Sequence, residues 1–562
     1  MHRFLIITVA ACAFMIACRA AEARPLVGVY YFPGWYRAAG NPAGESSEWR
    51  SAIMKAAVPR AMCGFYNDAD PRLWGYYIPW MSTHGIDFLA FDWYYNAGQE
   101  FLYESLDRGF LQADKTNDVK FCVHWCNHGG PWWLKPLDQS KPAVLAMTDL
   151  LCARYFHRPN YLRIDGRPVF MIYEINQFLG FGGEDAAREA LSAMRQRVRE
   201  KGFPDVYLVA VYPGSSPDYL SMLKSLGFDA SCAYTYCWMR PPSVEWDTEA
   251  VPYADLAPMI ADCLYPTLER AGKKAGLPYW PSTFSGWDDR PRAGVEKAFL
   301  NLGNTPESFA VMLRGALDHV NPASPVVMVE AWNEWGEGAC IEPSKQFGFG
   351  FLRAMADVLG KKSPNETLPS AEEIASWSVL TPDELKAAAE NESKPWPLKE
   401  PKLYALGKSF DAPEVNMPFV IDLTRDGIPT DQIALDAISI KERTAEGTWF
   451  ETTGGDPKIV FPEMQVPMAQ IKRITVEGRM TRSGEGVGQR QMEVYWTTAL
   501  MPGYCGFASA SVSWPSEGSP SIEIADIMCW EKTGTPLTGL RIDPCPGPGA
   551  RFLIRRVILS GE

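Results

Sequence analysis

The chain predicts an α/β protein: a (β/α)8 TIM barrel followed by a C-terminal all-β sandwich of jelly-roll type. Three observations lead there. Its 562 residues exceed one ordinary domain, at roughly 100–200 residues per domain with barrels reaching about 250 or more. Between residues 24 and 362, eight short runs rich in β-branched and aromatic residues alternate with helix-length amphipathic segments. Beyond Pro418 the pattern changes to short alternating strands punctuated by Gly and Pro.

Residues 1–23 read as a secretory signal peptide. His2 and Arg3 precede an apolar run from Phe4 to Cys18, and Ala21, Glu22 and Ala23 fit cleavage before Arg24. That run is short for a membrane span of roughly 20 residues, and no later stretch is apolar for long enough. The expectation is an exported protein, periplasmic, cell-surface or extracellular, with no transmembrane span. A second possible cut, before Cys18, weakly resembles a lipoprotein box and would leave a lipid anchor on that residue.

Residues 24–362 carry the expected catalytic barrel. Its strands are predicted at 26–32, 86–93, 119–125, 168–174, 205–211, 229–236, 278–284 and 325–332, with helices such as 184–201, 255–272 and 306–319 between them. Continuous apolar strands indicate burial on both faces, the mark of a parallel sheet. A doubly wound open sheet is the competitor, but the first strand runs into Pro33-Gly34-Trp35-Tyr36 and not into a Gly-rich phosphate turn. Residues 363–415, rich in Pro, Glu, Lys and Ser, read as a linker with one helical piece near 382–391. Residues 416–562 form the sandwich, with strands at 419–423, 471–476, 492–497, 508–514, 521–527 and 552–559. It either binds glycan or braces the barrel, and Trp496, Trp514 and Trp530 are better read as its core than as a sugar platform.

Composition narrows the function. Hydrophobic residues at 47% and charged residues at 22% exclude a mostly disordered chain. A net charge of −13 argues against a nucleic-acid partner. Of 13 cysteines, Cys12 and Cys18 lie in the signal; the odd remainder requires at least one thiol that is free or bonded to another chain. The pairs Cys122/Cys126 and Cys232/Cys237 lack the repeated spacing of a zinc site.

The 20 Trp, 23 Tyr and 27 Phe gather where barrel strands end, which is where barrel active sites are built. Strand one delivers Tyr30, Tyr31 and Trp35; strand two, Asp92 and Trp93; strand three, His124, Trp125, Asn127 and His128. Strand four delivers Tyr173 and Glu174, strand six Tyr234 and Tyr236, and strand seven Trp287 and Asp288. Strand eight leads into Trp332, Asn333, Glu334, Trp335 and Glu337. Rings that stack on C–H faces, interleaved with carboxylates and amides that bind hydroxyls, suit a glycan. Glu334 and Glu337, three residues apart on a Gly-relaxed loop, are the candidate catalytic pair: glycosidases need two carboxyl groups, one protonated and one ionised. His124 and His128 lack a third ligand, and Asp288-Asp289 is more simply a loop turn or arginine partner, so no metal and no cofactor are expected.

Gly85-Ile86-Asp87-Phe88, Asp165-Gly166-Arg167-Pro168-Val169-Phe170, Gly286-Trp287-Asp288-Asp289 and Ala331-Trp332-Asn333-Glu334-Trp335-Gly336-Glu337-Gly338 resemble the WbsX-like proteins, relatives of glycoside hydrolase family 99, the endo-α-mannosidases. The resemblance runs through most of residues 26–358 and implies a (β/α)8 barrel. It further implies an unusual retaining route. Glu334 would deprotonate the sugar 2-hydroxyl, which attacks C1 to give a 1,2-anhydro sugar; Glu337 would protonate the leaving oxygen and then activate water. A family tyrosine near the reacting sugar corresponds to Tyr234 or Tyr236, and Trp93 and Trp125 are stacking candidates. The expected function is therefore an exported retaining glycoside hydrolase acting on a poly- or oligosaccharide, with α-mannosides and endo action implied by the resemblance alone. A glycosyltransferase of polysaccharide assembly and a non-catalytic carbohydrate-binding surface protein are the alternatives.

Overall fold

A computed structural model describes residues 24–36, 49, 61–128, 137–241, 244–245, 248–392, 397, 399–403, 413–482, 490–499, 501–504, 508–524, 527, 530, 535–545 and 547–561. The expected signal, Cys18 included, lies outside them. No helix among the described residues is long and apolar enough to cross a membrane.

Eight parallel strand units form the barrel: Leu26–Tyr31, Phe88–Asn96, Lys120–Trp125, Arg167–Ile172, Tyr207–Val211, Ala230–Cys232, a seventh in two pieces (Tyr279–Trp280 and Ser282–Phe284), and Val326–Glu330. They are almost wholly buried, as their apolar composition requires. Pairing runs from the first piece of strand seven through six, five, four, three, two, one and eight to the second piece of strand seven, which closes the ring. Pro281 sits at the break. It has no N–H to give a ladder, and the strand changes partner there. Tyr279 and Trp280 register with Ser231 and Cys232, while Ser282, Thr283 and Phe284 register with Met328, Val329 and Glu330.

Helices Pro71–His84, Lys141–Leu151, Gly183–Glu200, Pro217–Leu226, Tyr253–Met259 with Tyr265–Ala275, Pro306–Asp318 and Gly350–Val358 make the outer layer. The expected strict alternation of strand and helix fails once. The connection from strand two to strand three holds only short turns at Ser105–Gly109, Phe110–Gln112 and Thr116–Asp118. Gly109 in that connection is pressed against the Asp68 carbonyl and the Trp74 indole, leaving no room for a side chain.

Residues 363–392, with 397 and 399–403, lie along the barrel and carry two helices, Ala371–Trp377 and Pro382–Glu392; only the second was expected. The Trp80 indole donates to the Thr367 carbonyl at 3.0 Å, and the Trp377 indole to the Cys63 carbonyl at 3.1 Å. Further along, Arg290 donates to the Pro397 carbonyl at 3.0 Å, and Glu245 N–H to Lys402 at 2.8 Å.

Two antiparallel sheets follow. One is ordered Ile438–Thr444, Gly447–Thr452, Arg551–Ser560, Arg473–Arg482, Ser521–Glu523, with Phe419–Asp422 also on Arg551–Ser560; the other is ordered Ala434–Asp436, Lys458–Val460, Leu537–Asp543, Gln491–Thr498, Ser509–Ser513. Trp496, Trp514 and Trp530 are buried between them: Trp496 packs on Trp530 at 4.8 Å, and Trp514 on Phe552 at 5.8 Å. They are core residues. Ser513 N–H reaches the Asp218 carboxylate at 3.3 Å, tying sandwich to barrel.

Trp377 is 3% exposed. Trp377→Ala should cost about 3–5 kcal/mol in equilibrium denaturation, whereas Leu368→Ala, at a position 43% exposed, should stay within about 0.5 kcal/mol.

Candidate active site

The pleat of each strand sends neighbouring side chains to opposite faces, and this sorts the strand-end residues. Asp92 and His124 are register partners and face inward, the His124 Nδ1 lying 2.8 Å from the Asp92 carboxylate. The His124 Nε2 is buried and has no hydrogen-bond partner among the described residues. Around that imidazole stand Tyr30 at 5.1 Å and Tyr173 at 5.4 Å between ring centroids, and Tyr234 lies 5.1 Å from Tyr30. His128 packs on Tyr173 at 5.3 Å, and burial lowers its pKa. Half-buried Glu174 follows strand four, its pKa raised by burial.

Glu334 and Glu337 complete this mouth. Residues 334–339 fold back on themselves, with the N–H groups of Glu337 and Ala339 donating to the Glu334 carbonyl at 3.1 and 3.2 Å. The turn brings both carboxylates to one cation. Arg292 donates through Nη1 to Glu337 at 2.5 Å and through Nη2 to Glu334 at 3.0 Å. Two glycines make this approach possible. A Cβ on Gly336 would lie 2.6 Å from the Arg292 Nε, and one on Gly338, whose φ is +65°, would lie 2.7 Å from the Asp288 Cβ. Tyr234 donates its hydroxyl to Glu337 at 3.1 Å.

Burial raises the Glu337 pKa, with Arg292 and Tyr234 opposing the rise and Asp92 and Asp289 adding to it. Beneath the pair lies Glu330, fully buried. Neither of its oxygens has a hydrogen bond of sound geometry among the described residues. Burial, and then the charges of Glu337 and Glu334, push its pKa well above the carboxylate range, with nearby Thr235 offsetting part of the effect.

The loop is anchored from behind by Glu342, which sequence reasoning did not single out. Its buried carboxyl accepts from Tyr66 at 2.8 Å, Tyr77 at 2.5 Å and the Trp335 indole at 2.9 Å. Arg292 was also missed as a site residue. Its position in the loop after strand seven, beside the strand-eight loop that bears two glutamates, was the available signal.

Many predicted contacts with substrate need correction. Tyr31 packs on Trp74 of helix Pro71–His84 at 4.9 Å. Trp93 stacks on Tyr95 and donates to Glu100 at 2.8 Å. Trp125 meets Phe178 at 6.4 Å, and Trp332 meets Tyr77 at 5.1 Å. Trp35 is buried on Trp49 at 4.3 Å. These rings are buried in the layer between strands and helices or in the core behind the loops, packed on protein side chains. Tyr236 is likewise buried, its hydroxyl bonded to that of Tyr279, so of the two tyrosines only Tyr234 reaches a glutamate.

Asn333 spends its amide on the Phe32 main chain, both bonds 2.9 Å, and thereby pins strand one to the strand-eight loop. Asn127 does the same for the Glu174 main chain at 2.7 and 3.0 Å. Asp288 is held by Arg290 at 2.8 and 2.6 Å. Trp287 and Trp335 line a separate cavity of about 510 Å³ with Asn301, Cys340, Phe347 and Phe351; neither glutamate borders it.

Asp92, His124 and Cys126 lie close enough to hold a metal ion. Without an ion, burial and the Asp92 charge push the Cys126 thiol well up, and the direct contact within the trio is the one between His124 and Asp92.

A family model described as Glycosyltransferase WbsX matches residues 54–355, more than half of the chain. Uncharacterized protein WxcX of Xanthomonas campestris pv. campestris is 27% identical over 314 residues, 53% of this chain and 42% of that protein. The chain thus spans about two-fifths of the length of that curated relative. Among solved structures, the GH99 endo-alpha-mannosidase from Bacteroides thetaiotaomicron in complex with Bis-Tris propane is 17% identical, covering 60% of this chain and 96% of that one at a TM-score of 0.44. A structure described as a glycoside hydrolase-like protein is 16% identical, covering 60% and 94%, also at 0.44.

Burial raises the Glu342 pKa to about 8, against the hydrogen bonds from Tyr77, Tyr66 and Trp335. A carboxyl raised on folding contributes stability that is full below its unfolded pKa of about 4.3 and is lost as pH climbs through the folded value. Glu342→Gln should therefore flatten the fall in stability between roughly pH 4.3 and the folded value. Thermal unfolding of both proteins across that window checks it; parallel profiles would refute the assignment.

Proposed function

The chain belongs to the WbsX family, and we propose that it is a retaining glycoside hydrolase in which Glu334 and Glu337 do the chemistry. One observation carries this reading: a buried and a partly buried carboxylate share the barrel mouth, close enough for a single guanidinium to touch both. A glycosidase needs such a pair of carboxyl groups beside one scissile bond.

In this reading Glu334 takes the proton of the sugar 2-hydroxyl as O2 attacks C1, and the departing oxygen takes the proton of Glu337. The resulting 1,2-anhydro sugar is opened by water, whose proton returns to Glu337, while Glu334 gives its proton back to O2. The substrate supplies the nucleophile, so neither carboxylate needs to touch the anomeric carbon. Tyr234, donating to Glu337, orients that carboxyl. A poly- or oligosaccharide is the substrate, and the α-mannosides named for the GH99 structure are the first candidates.

The family description favours a second reading, transfer from an activated sugar. The mouth weighs against it: a diphosphate leaving group would find Arg292 already shared between Glu334 and Glu337, with Asp92 nearby. We propose export as well. The support is the apolar N-terminal run, together with Cys263 being disulfide-bonded, a state that persists in oxidising compartments.

The test is a product screen on α-mannans, host glycans and bacterial polysaccharides, with the wild type beside Glu334→Gln and Glu337→Gln. Cleavage that falls at least ~10³-fold in both variants is expected. Undiminished cleavage in either variant refutes the pair, and sugar-nucleotide-dependent transfer without hydrolysis would establish the second reading.

A further inference from the structure

The guanidinium of Arg292 stands where the reaction must happen. A sugar whose 2-hydroxyl faces Glu334 and whose leaving oxygen faces Glu337 needs the gap that Arg292 now spans, bonded to one glutamate through each terminal nitrogen. A carboxylate locked to a guanidinium is also a poor proton donor. We propose, on the hydrolase reading above, that Arg292 is a displaceable counter-ion. The sugar pushes its guanidinium aside, and Glu337, left without a cation, takes a proton from solvent and becomes the acid of the reaction.

The geometry allows the movement. The Arg292 side chain is one-third exposed, at 33%, while Glu334 is 4% and Glu337 15% exposed. It projects from the four-residue helix Arg290–Ala293, which ends at Gly294. The Phe32 ring lies 5.3 Å from the guanidinium carbon and offers a face on which the cation rests when it leaves the glutamates.

The groups that face Glu337 decide the sign of its response. Asp92 comes from strand two, Tyr173 from strand four, Tyr234 and Cys237 from the strand-six end, Arg292 and Asp289 from the strand-seven loop, Glu330 and Glu334 from strand eight and its loop, and Cys340 just beyond. Arg292 is the only cation in that set; the other charged members are acidic. Once it withdraws, every remaining charge favours the protonated form of Glu337, and the Tyr234 hydroxyl alone still supports the ionised form. The guanidinium keeps its own proton and moves toward solvent. The proton that Glu337 gains is the one it passes to the leaving oxygen. Arg292 is therefore a positioning residue, acting through Glu337 and not on the sugar.

Two measurements test this. The first needs no substrate. Infrared spectra of the free protein, recorded from roughly pH 5 to 8, should show a protonated-carboxyl band that persists to higher pH in Arg292→Gln than in the wild type and is removed in Arg292→Gln/Glu337→Gln. Because the protonation of buried Glu330 is tied to the charge of Glu337, the comparison is repeated in a Glu330→Gln background, where the band must still appear. Arg292→Lys keeps the charge but cannot span two carboxylates, so it should show less of the band and guards against misfolding of the Gln variant. No extension of the band to higher pH, or a band that survives Glu337→Gln, overturns the counter-ion role.

The second uses a substrate from the product screen. In the wild type the alkaline limb of kcat should lie at least about one pH unit above that of kcat/KM, because the first reports the complex and the second the free enzyme. In Arg292→Gln the two limbs should coincide. Coinciding limbs in the wild type overturn displacement. If the screen finds no cleavage at all, the hydrolase reading fails by itself, and the infrared measurement still decides whether Arg292 holds Glu337 ionised.

Discussion

Four carboxyl groups share one buried barrel mouth, and the balancing of their charge constrains everything built around it. Like charges taken out of water repel strongly unless each is paired or protonated. The molecule uses three solutions. Asp92 is matched to His124. Glu334 and Glu337 divide the guanidinium of Arg292. Glu330, without a sound hydrogen bond of its own, is pushed by burial and its neighbours toward the neutral acid. Local sequence follows from this arrangement. Gly336 and Gly338 stand where any side chain would hold Arg292 or Asp288 away from the loop.

Charge balance matters only if the loop cannot drift, and a second set of polar groups fixes it. Glu342 gathers three donors behind the loop, one of them the indole of Trp335, which sits between the two glutamates in sequence. Asn333 ties the loop to strand one, and Asn127 ties strand three to strand four. These side chains direct their hydrogen bonds to the surrounding fold. Their work is orientation, the support that a precise site requires of its surroundings.

The barrel strands were legible because burial on both faces leaves an unmistakable run of apolar residues. Strand four was expected at 168–174 and lies at Arg167–Ile172. Strand six was overestimated, at 229–236 against Ala230–Cys232. Sandwich strands such as Ile438–Thr444, Ile-Ser-Ile-Lys-Glu-Arg-Thr, went unseen because they are half exposed and their polar side carries no signal. In the site the glutamate pair was legible as a motif, whereas several aromatic candidates lie buried behind the mouth. Both members of pairs such as Tyr30 and Tyr31, or Asp92 and Trp93, were counted toward the mouth, although the pleat turns only one of each inward.

By itself the sequence determined the architecture and singled out the pair Glu334 and Glu337 as candidates, since periodicity and a short motif are local properties of the chain. Tertiary structure alone decided which face each strand end presents, that the barrel closes through a strand broken at Pro281, and that Arg292 meets Glu334 and Glu337 from 42 and 45 residues away. Those contacts join separate loops, and their existence depends on how strands seven and eight are brought side by side. No local pattern encodes that proximity; the closed ring creates it.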